Sequence, residues 1–220
     1  MPQSLLDRAA TAAIIVAALA VAVRQSRSPD VAPVQGASLA IAPRLIPQWR
    51  DVHRDAIPIR TDVIGPVVIE FSDFECPFCA RFHHEFSLAG DSSAPRFTHA
   101  FLHFPLPMHR FAHPAAVAAE CAFQQDRFAR FKDVVFSRQD SLGLVAWREL
   151  AERADVPDVE AYERCRSDSS TDSMVRHRSR WSEALRIEGT PAVLIDSTLY
   201  VGLSADSIRR IIHRRFQEVR

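Results

Sequence analysis

Two cysteines separated by two residues, Cys76-Pro77-Phe78-Cys79, are the part of this 220-residue chain best suited to chemistry. At the start of a helix the first sulfur of such a pair faces unpaired backbone N–H groups and the positive end of the helix dipole. Both favour the thiolate, lower its pKa and let it attack disulfides at neutral pH. The second sulfur, one turn away, can resolve a mixed disulfide by attacking the first. The spacing therefore assigns Cys76 as nucleophile and Cys79 as resolving thiol. Pro77 suits a first helical turn, where its missing N–H costs nothing. Pro77-Phe78 carries no charge, so the thiolate is expected to be tuned by backbone N–H groups.

Metal binding is the competing use of the same residues. Cys76, Cys79 and His83 or His84 would make half a zinc site, but a structural zinc site normally has a second close pair, and Cys121 and Cys165 stand singly. His99, His103, His109 and His113 crowd a short stretch that Pro105 and Pro107 interrupt. Neither group is read as a metal site, and no cofactor is expected. His103 and His109 are the two candidates to border a substrate groove. A copper carrier would want further soft ligands, and of Met1, Met108 and Met174 none is near Cys76 in sequence.

The elements that must position the pair are legible around it. Val67-Val68-Ile69-Glu70-Phe71, opened by Gly65-Pro66, reads as a strand buried on both faces. After a four-residue loop the cysteines open a helix with Phe78, Phe82 and Phe86 at i, i+4 and i+8. Arg96–Phe104 alternates as a second strand, ended by prolines. From residue 113 to 186 only helical patterns follow: 115–124, 127–136, 145–153, 159–166 and 171–186. Gly189-Thr190-Pro191 stops the last of them. Two short strands, 192–195 and 199–202, and an amphipathic helix over 204–217, with Ser204 as N-cap, close the chain. Without the helical block near 107–187 the order is β-α-β then β-β-α. The fold class is α/β, a central mixed sheet flanked by helices with an all-helical insertion.

Phe71-Ser72-Asp73-Phe74-Glu75-Cys76-Pro77-Phe78-Cys79 together with the distant Gly189-Thr190-Pro191 resembles the DsbA-like thiol–disulfide oxidoreductases of the thioredoxin superfamily, over roughly residues 60–218. The resemblance implies a thioredoxin fold, a redox-active disulfide, and a cis bond before Pro191 facing it. Thr190 and Pro191, beside Pro77 and Phe78, would then position the substrate chain. It also implies exported cysteine-containing proteins as substrates and a quinone-linked membrane partner that resets the pair.

Glu70 is a charge in an otherwise apolar strand, six residues before Cys76. Burial would raise its pKa and make it a proton acceptor for Cys79, and members of the family carry an acid at the matching place. A solvent-facing edge glutamate is the alternative. Cys121 and Cys165, 44 residues apart in the helical block, are expected to bond to each other in an oxidising compartment, against the alternative of two buried free thiols. Some members of the family bridge this insertion, which agrees.

The compartment is suggested by Ala9–Val23, an uncharged Ala-rich run of 15 residues. It is short for a membrane span and well sized for a signal h-region. Residues 1–25 are read as a signal peptide or anchor, with cleavage and anchoring both open; 26–58 as a Pro/Ala/Ser-rich tether; and 59–220 as the thioredoxin-like domain. Localisation is then periplasmic, or tethered to the outer face of the cytoplasmic membrane. Lys+Arg and Asp+Glu both number 27, so no basic surplus points to nucleic acid. The expected function is a dithiol oxidase. A reductase or isomerase with the same residues, or a non-enzymatic thioredoxin-like binding module, are the alternatives.

Overall fold

The computed structural model describes residues 41–61, 65–87 and 96–218. The segment expected as a signal or anchor lies outside them. Among the described residues one mixed sheet carries the fold. Its strands are β1 (Ile41–Leu45), β2 (Ile57–Thr61), β3 (Val67–Ser72), β4 (Thr98–His103), β5 (Ala192–Ile195) and β6 (Thr198–Val201), in the order β1-β6-β5-β3-β4-β2. β3 is central, parallel to β4 and antiparallel to β5. A parallel pair needs a crossover, and helix α2 (Pro77–Ser87) supplies it. α1 (Trp49–Asp55) lies between β1 and β2. The insertion between β4 and β5 is α3 (Ala112–Phe123), α4 (Phe128–Ser137), a 3₁₀ turn (Gln139–Ser141), α5 (Trp147–Arg153), α6 (Val159–Arg166) and α7 (Ser169–Ala184). α8 (Ala205–Glu218) closes the chain, its first turn capped by the Ser204 hydroxyl, which accepts from Ser207 N–H at 3.3 Å.

Side chains alternate across β3. Val68 packs with Phe82 of α2 and with Ile208 and Ile212 of α8, while Ile69 and Phe71 pack on the other face with Val52 of α1, Leu185 and Ile187. Glu70 shares the face of Val68. The parallel register sets Val68 beside His99 and Glu70 beside Phe101, so His99 projects to the same side of the sheet. Phe101 is packed with Phe74, Cys76, Cys79 and the apolar sides of α3 to α6. The insertion is thus the wall on one side of the cysteines.

Two expectations are corrected. Residues 41–58, expected within a tether, supply β1, α1 and the start of β2. Pro43 and Pro58 look like breakers, yet β1 and β2 are edge strands, where a proline loses no ladder bond. The phenylalanine stripe of α2 is also incomplete. Phe82 is buried and Phe86 partly so, but Phe78 is 61% exposed, because it occupies the first turn where no element covers it.

Candidate active site

Cys76 stands at the mouth of α2. Its N–H donates to the Asp73 carbonyl at 3.2 Å, and its own carbonyl accepts from Cys79 N–H at 3.0 Å and Ala80 N–H at 3.1 Å. Gln139 of the 3₁₀ turn donates to the carbonyls of Phe74 and Cys76, at 2.8 and 2.9 Å, fastening the insertion to this loop. The two sulfurs are not joined; Cys76 is 4% exposed and Cys79 wholly buried.

Their thiols are driven apart. A hydrogen bond from the Cys79 thiol is the main force holding the Cys76 pKa at about 5, against burial and with help from Thr190 and the backbone N–H groups of Cys79 and Phe78. Burial, and then the neighbouring Cys76 sulfur, push the Cys79 thiol far up, although Asp73 N–H donates to its Sγ at 3.5 Å. The Thr190 carbonyl, 3.7 Å from Cys76 Sγ, accepts only from the protonated thiol. The Thr190 hydroxyl is buried without another partner and suits the thiolate.

Thr190–Pro191 is a cis peptide. An open groove of about 500 Å³ runs alongside, lined by Phe78, Arg81, Glu85, Thr190, Pro191 and Leu203 among others. Pro77 begins α2. Thr190 is thus brought to the cysteines, and Phe78 and Pro191 to the groove beside them.

Glu70 is buried at 1% exposure, and its Oε2 lies 3.4 Å from His99 Nε2. Burial alone would raise its pKa, but His99 and the charges of Lys132 and His83 reverse the sign and hold it at about 2. The raised pKa expected from burial is therefore corrected: Glu70 is a carboxylate, held so first by its contact with His99 and then by the charge of Lys132. His99 moves down, burial outweighing Glu70. Lys132, itself buried, lies 3.1 Å from His83 Nδ1, and His83 Nε2 lies 3.1 Å from Asp133.

The four crowded histidines each meet a separate acid: His99 with Glu70, His103 with Glu120 at 3.3 Å, His109 with Asp73 at 2.8 Å and His113 with Asp172 at 2.5 Å. His103 is buried at 1% exposure and does not reach a surface groove among the described residues, because its position on β4 turns it into the core toward Glu120 of α3. Cys121 and Cys165 are joined, with S–S 1.97 Å, tying α3 to α6 far from the reactive pair in sequence.

Sequence reasoning passed over Asp73, Glu75, Gln139 and Lys132. The first three act through loop contacts that no periodicity encodes. Lys132 had a signal: with Phe128, Phe131, Val135 and Phe136 it completes the buried i, i+3, i+4, i+7, i+8 face of α4, where a lysine is out of place.

The family model described as thioredoxin matches residues 65–214. A curated relative, Na(+)/H(+) antiporter NhaA 3 of Salinispora tropica, is 28% identical over 170 residues, covering 76% of this chain and 25% of that protein. The chain thus spans about a quarter of the length of this relative. Among solved structures, oxidised BdbD from Bacillus subtilis superposes with a TM-score of 0.65 at 19% identity, covering 74% of this chain and 94% of that one. Alpha-DsbA1 of Wolbachia pipientis superposes with a TM-score of 0.62 at 16% identity, covering 74% and 92%. These likenesses establish a DsbA-like thioredoxin fold.

Proposed function

Because the chain belongs to the thioredoxin family, we propose that it is a thiol–disulfide oxidoreductase working as a dithiol oxidase through Cys76 and Cys79. The observation that carries this reading is the opposed setting of the two thiols, with Cys76 held at about 5 and Cys79 pushed up. A stabilised Cys76 thiolate stabilises the reduced pair, so the disulfide is readily given away. A substrate thiolate attacks Cys76, and Cys79 leaves and takes a proton. The second substrate thiolate then attacks the mixed disulfide, and Cys76 departs as thiolate. Two electrons pass from substrate to the pair.

Thr190, Pro191, Pro77 and Phe78 hold the substrate chain in the groove. Glu70 accepts the Cys79 proton during the return reaction. Its Oε1 is buried without a hydrogen-bond partner and can take a proton, but a carboxylate held at about 2 is a weak base, so Glu70 relays the proton and does not keep it. Substrates are exported proteins with cysteine pairs, and a membrane redox partner resets the site. The Cys121–Cys165 bridge supports an oxidising compartment. The antiporter activity in the relative's name belongs to that whole protein, of which this chain covers 25%.

The test is the reduction potential of the purified protein, by glutathione equilibration and thiol alkylation. A potential well above the cytosolic glutathione pool is expected. A low one would make the protein a reductase, and the absence of any reversible two-electron titration would leave a binding module.

A further inference from the structure

The loop before α3 is bolted to the cysteine loop by two acids. Asp73 Oδ2 accepts from Leu106 N–H at 2.8 Å and meets His109 Nδ1 at 2.8 Å, while its Oδ1 accepts from Glu75 N–H at 2.7 Å. Glu75 Oε2 accepts from Phe111 N–H at 2.5 Å. The backbone of Asp73 touches both cysteines: its carbonyl accepts from Cys76 N–H, and its N–H donates to Cys79 Sγ. One residue therefore joins the imidazole of His109 to the reactive pair, and that imidazole is still 21% exposed.

We infer that His109, held by Asp73, is the cation that balances the Cys76 thiolate, a charge absent from the Pro77-Phe78 dipeptide and supplied instead from the loop before α3. The inference rests on the redox reading of the same pair. The other charged groups around the ring are Asp73 and Glu75 from the β3–α2 loop and Cys76 at the helix mouth. Arg110, next in the chain, has its guanidinium 5.3 Å over the Phe111 ring. Burial disfavours a charged imidazole, but the hydrogen bond and charge of Asp73, joined by Cys76 and Glu75, outweigh it and raise the His109 pKa.

The electron and proton balance gives His109 a role. Reducing the Cys76–Cys79 disulfide with two substrate thiols breaks one S–S bond and forms another in the substrate. Two electrons move to the pair and two protons are released. One proton stays on Cys79 as its thiol. The other goes to solvent if His109 is already charged, or to His109 if it is neutral in the oxidised protein. The thiolate raises the affinity of His109 for a proton, and the imidazolium lowers that of Cys76; the two effects are reciprocal. His109 is a positioning residue for charge, not a participant in bond exchange.

The direct test needs no variant. The imidazole resonances of the full-length protein are followed by NMR against pH in both redox states, and His109 is expected to titrate at higher pH in the reduced protein. Equal titration in the two states would overturn the inference. In parallel, the Cys76 thiolate is titrated by its ultraviolet absorbance in His109→Gln and His109→Arg. The glutamine variant keeps polarity without charge and should raise the affinity of Cys76 for its proton about three- to tenfold, the effect of losing one nearby, partly solvated charge. The arginine variant should restore it. A glutamine variant matching the parent, or an arginine variant that fails to rescue, would reduce His109 to a loop brace. A parent protein with an ordinary cysteine pKa would instead point to failure of the oxidase reading itself.

Discussion

At the residue scale, the hydrogen bond between the two thiols does most to keep Cys76 ionised. Removing it with Cys79→Ala should raise the Cys76 pKa by about one unit, enough to cut its thiolate fraction near pH 5 severalfold. Alkylation rate against pH reads this directly; an unmoved inflection would assign the depression to Thr190, the backbone N–H groups of the helix mouth and His109 instead. The same ionisation sets a pH dependence of folding. A thiol whose folded pKa lies below its unfolded value, about 8.5, binds its proton more weakly when folded. The stability this adds to the reduced protein is fully present above the unfolded pKa and is lost as pH falls toward about 5. Urea unfolding of reduced and disulfide forms at pH 8.5 and pH 5 should show the reduced form losing ground at acid pH. Glu70→Gln should slow attack by Cys79 on a mixed disulfide about tenfold or more while leaving the first attack by substrate near normal, as loss of a proton acceptor requires. An unchanged second step, measured in single turnover, would remove Glu70 from the mechanism.

At the scale of elements, the bridge between α3 and α6 is the clearest reinforcement of the insertion. It closes a loop with a sequence separation of 44, for which chain entropy assigns roughly 4 kcal/mol. Replacing both Cys121 and Cys165 with Ala should lower unfolding stability by about that amount, less whatever repacking recovers, and leave the Cys76 alkylation profile in place. The fold between β3 and α8 was legible because its strands are apolar runs and its helices carry full periods; Ala192–Ile195 and Val159–Arg166 match the expected bounds. β1 and β2 were not, because half-exposed edge strands bearing prolines carry neither signal. At the site, Cys76 and Cys79 were legible from their spacing, whereas Thr190, 114 residues from Cys76, and Pro191 were reached only through the resemblance to the family. It was opaque where contacts join distant loops. Asp73 and His109 are 36 residues apart, with α2 and β4 between them in the chain. The sign of the Glu70 shift was unreadable for the same reason, since it depends on His99, Lys132 and His83 from three other elements.

For the whole molecule, the sheet holds the cysteines at one end of β3, α8 and the Thr190–Pro191 segment offer the groove, and the insertion walls the opposite side. Phe78, exposed beside that groove, should matter for binding more than for bond exchange. Phe78→Ser is expected to raise KM for a cysteine-containing peptide severalfold with little change in kcat or in reaction with glutathione, and equal loss with both reductants would deny it a binding role. The burial of Lys132, the one lysine in the sequence, has a consequence for handling the protein in the laboratory. An amine-directed acylating reagent finds no lysine side chain on the folded surface, so modification of Lys132 proceeds only through molecules in which α4 has come away from α2. The rate of that acylation, followed by mass spectrometry, is therefore a built-in clock for the opening of the wall beside the active pair.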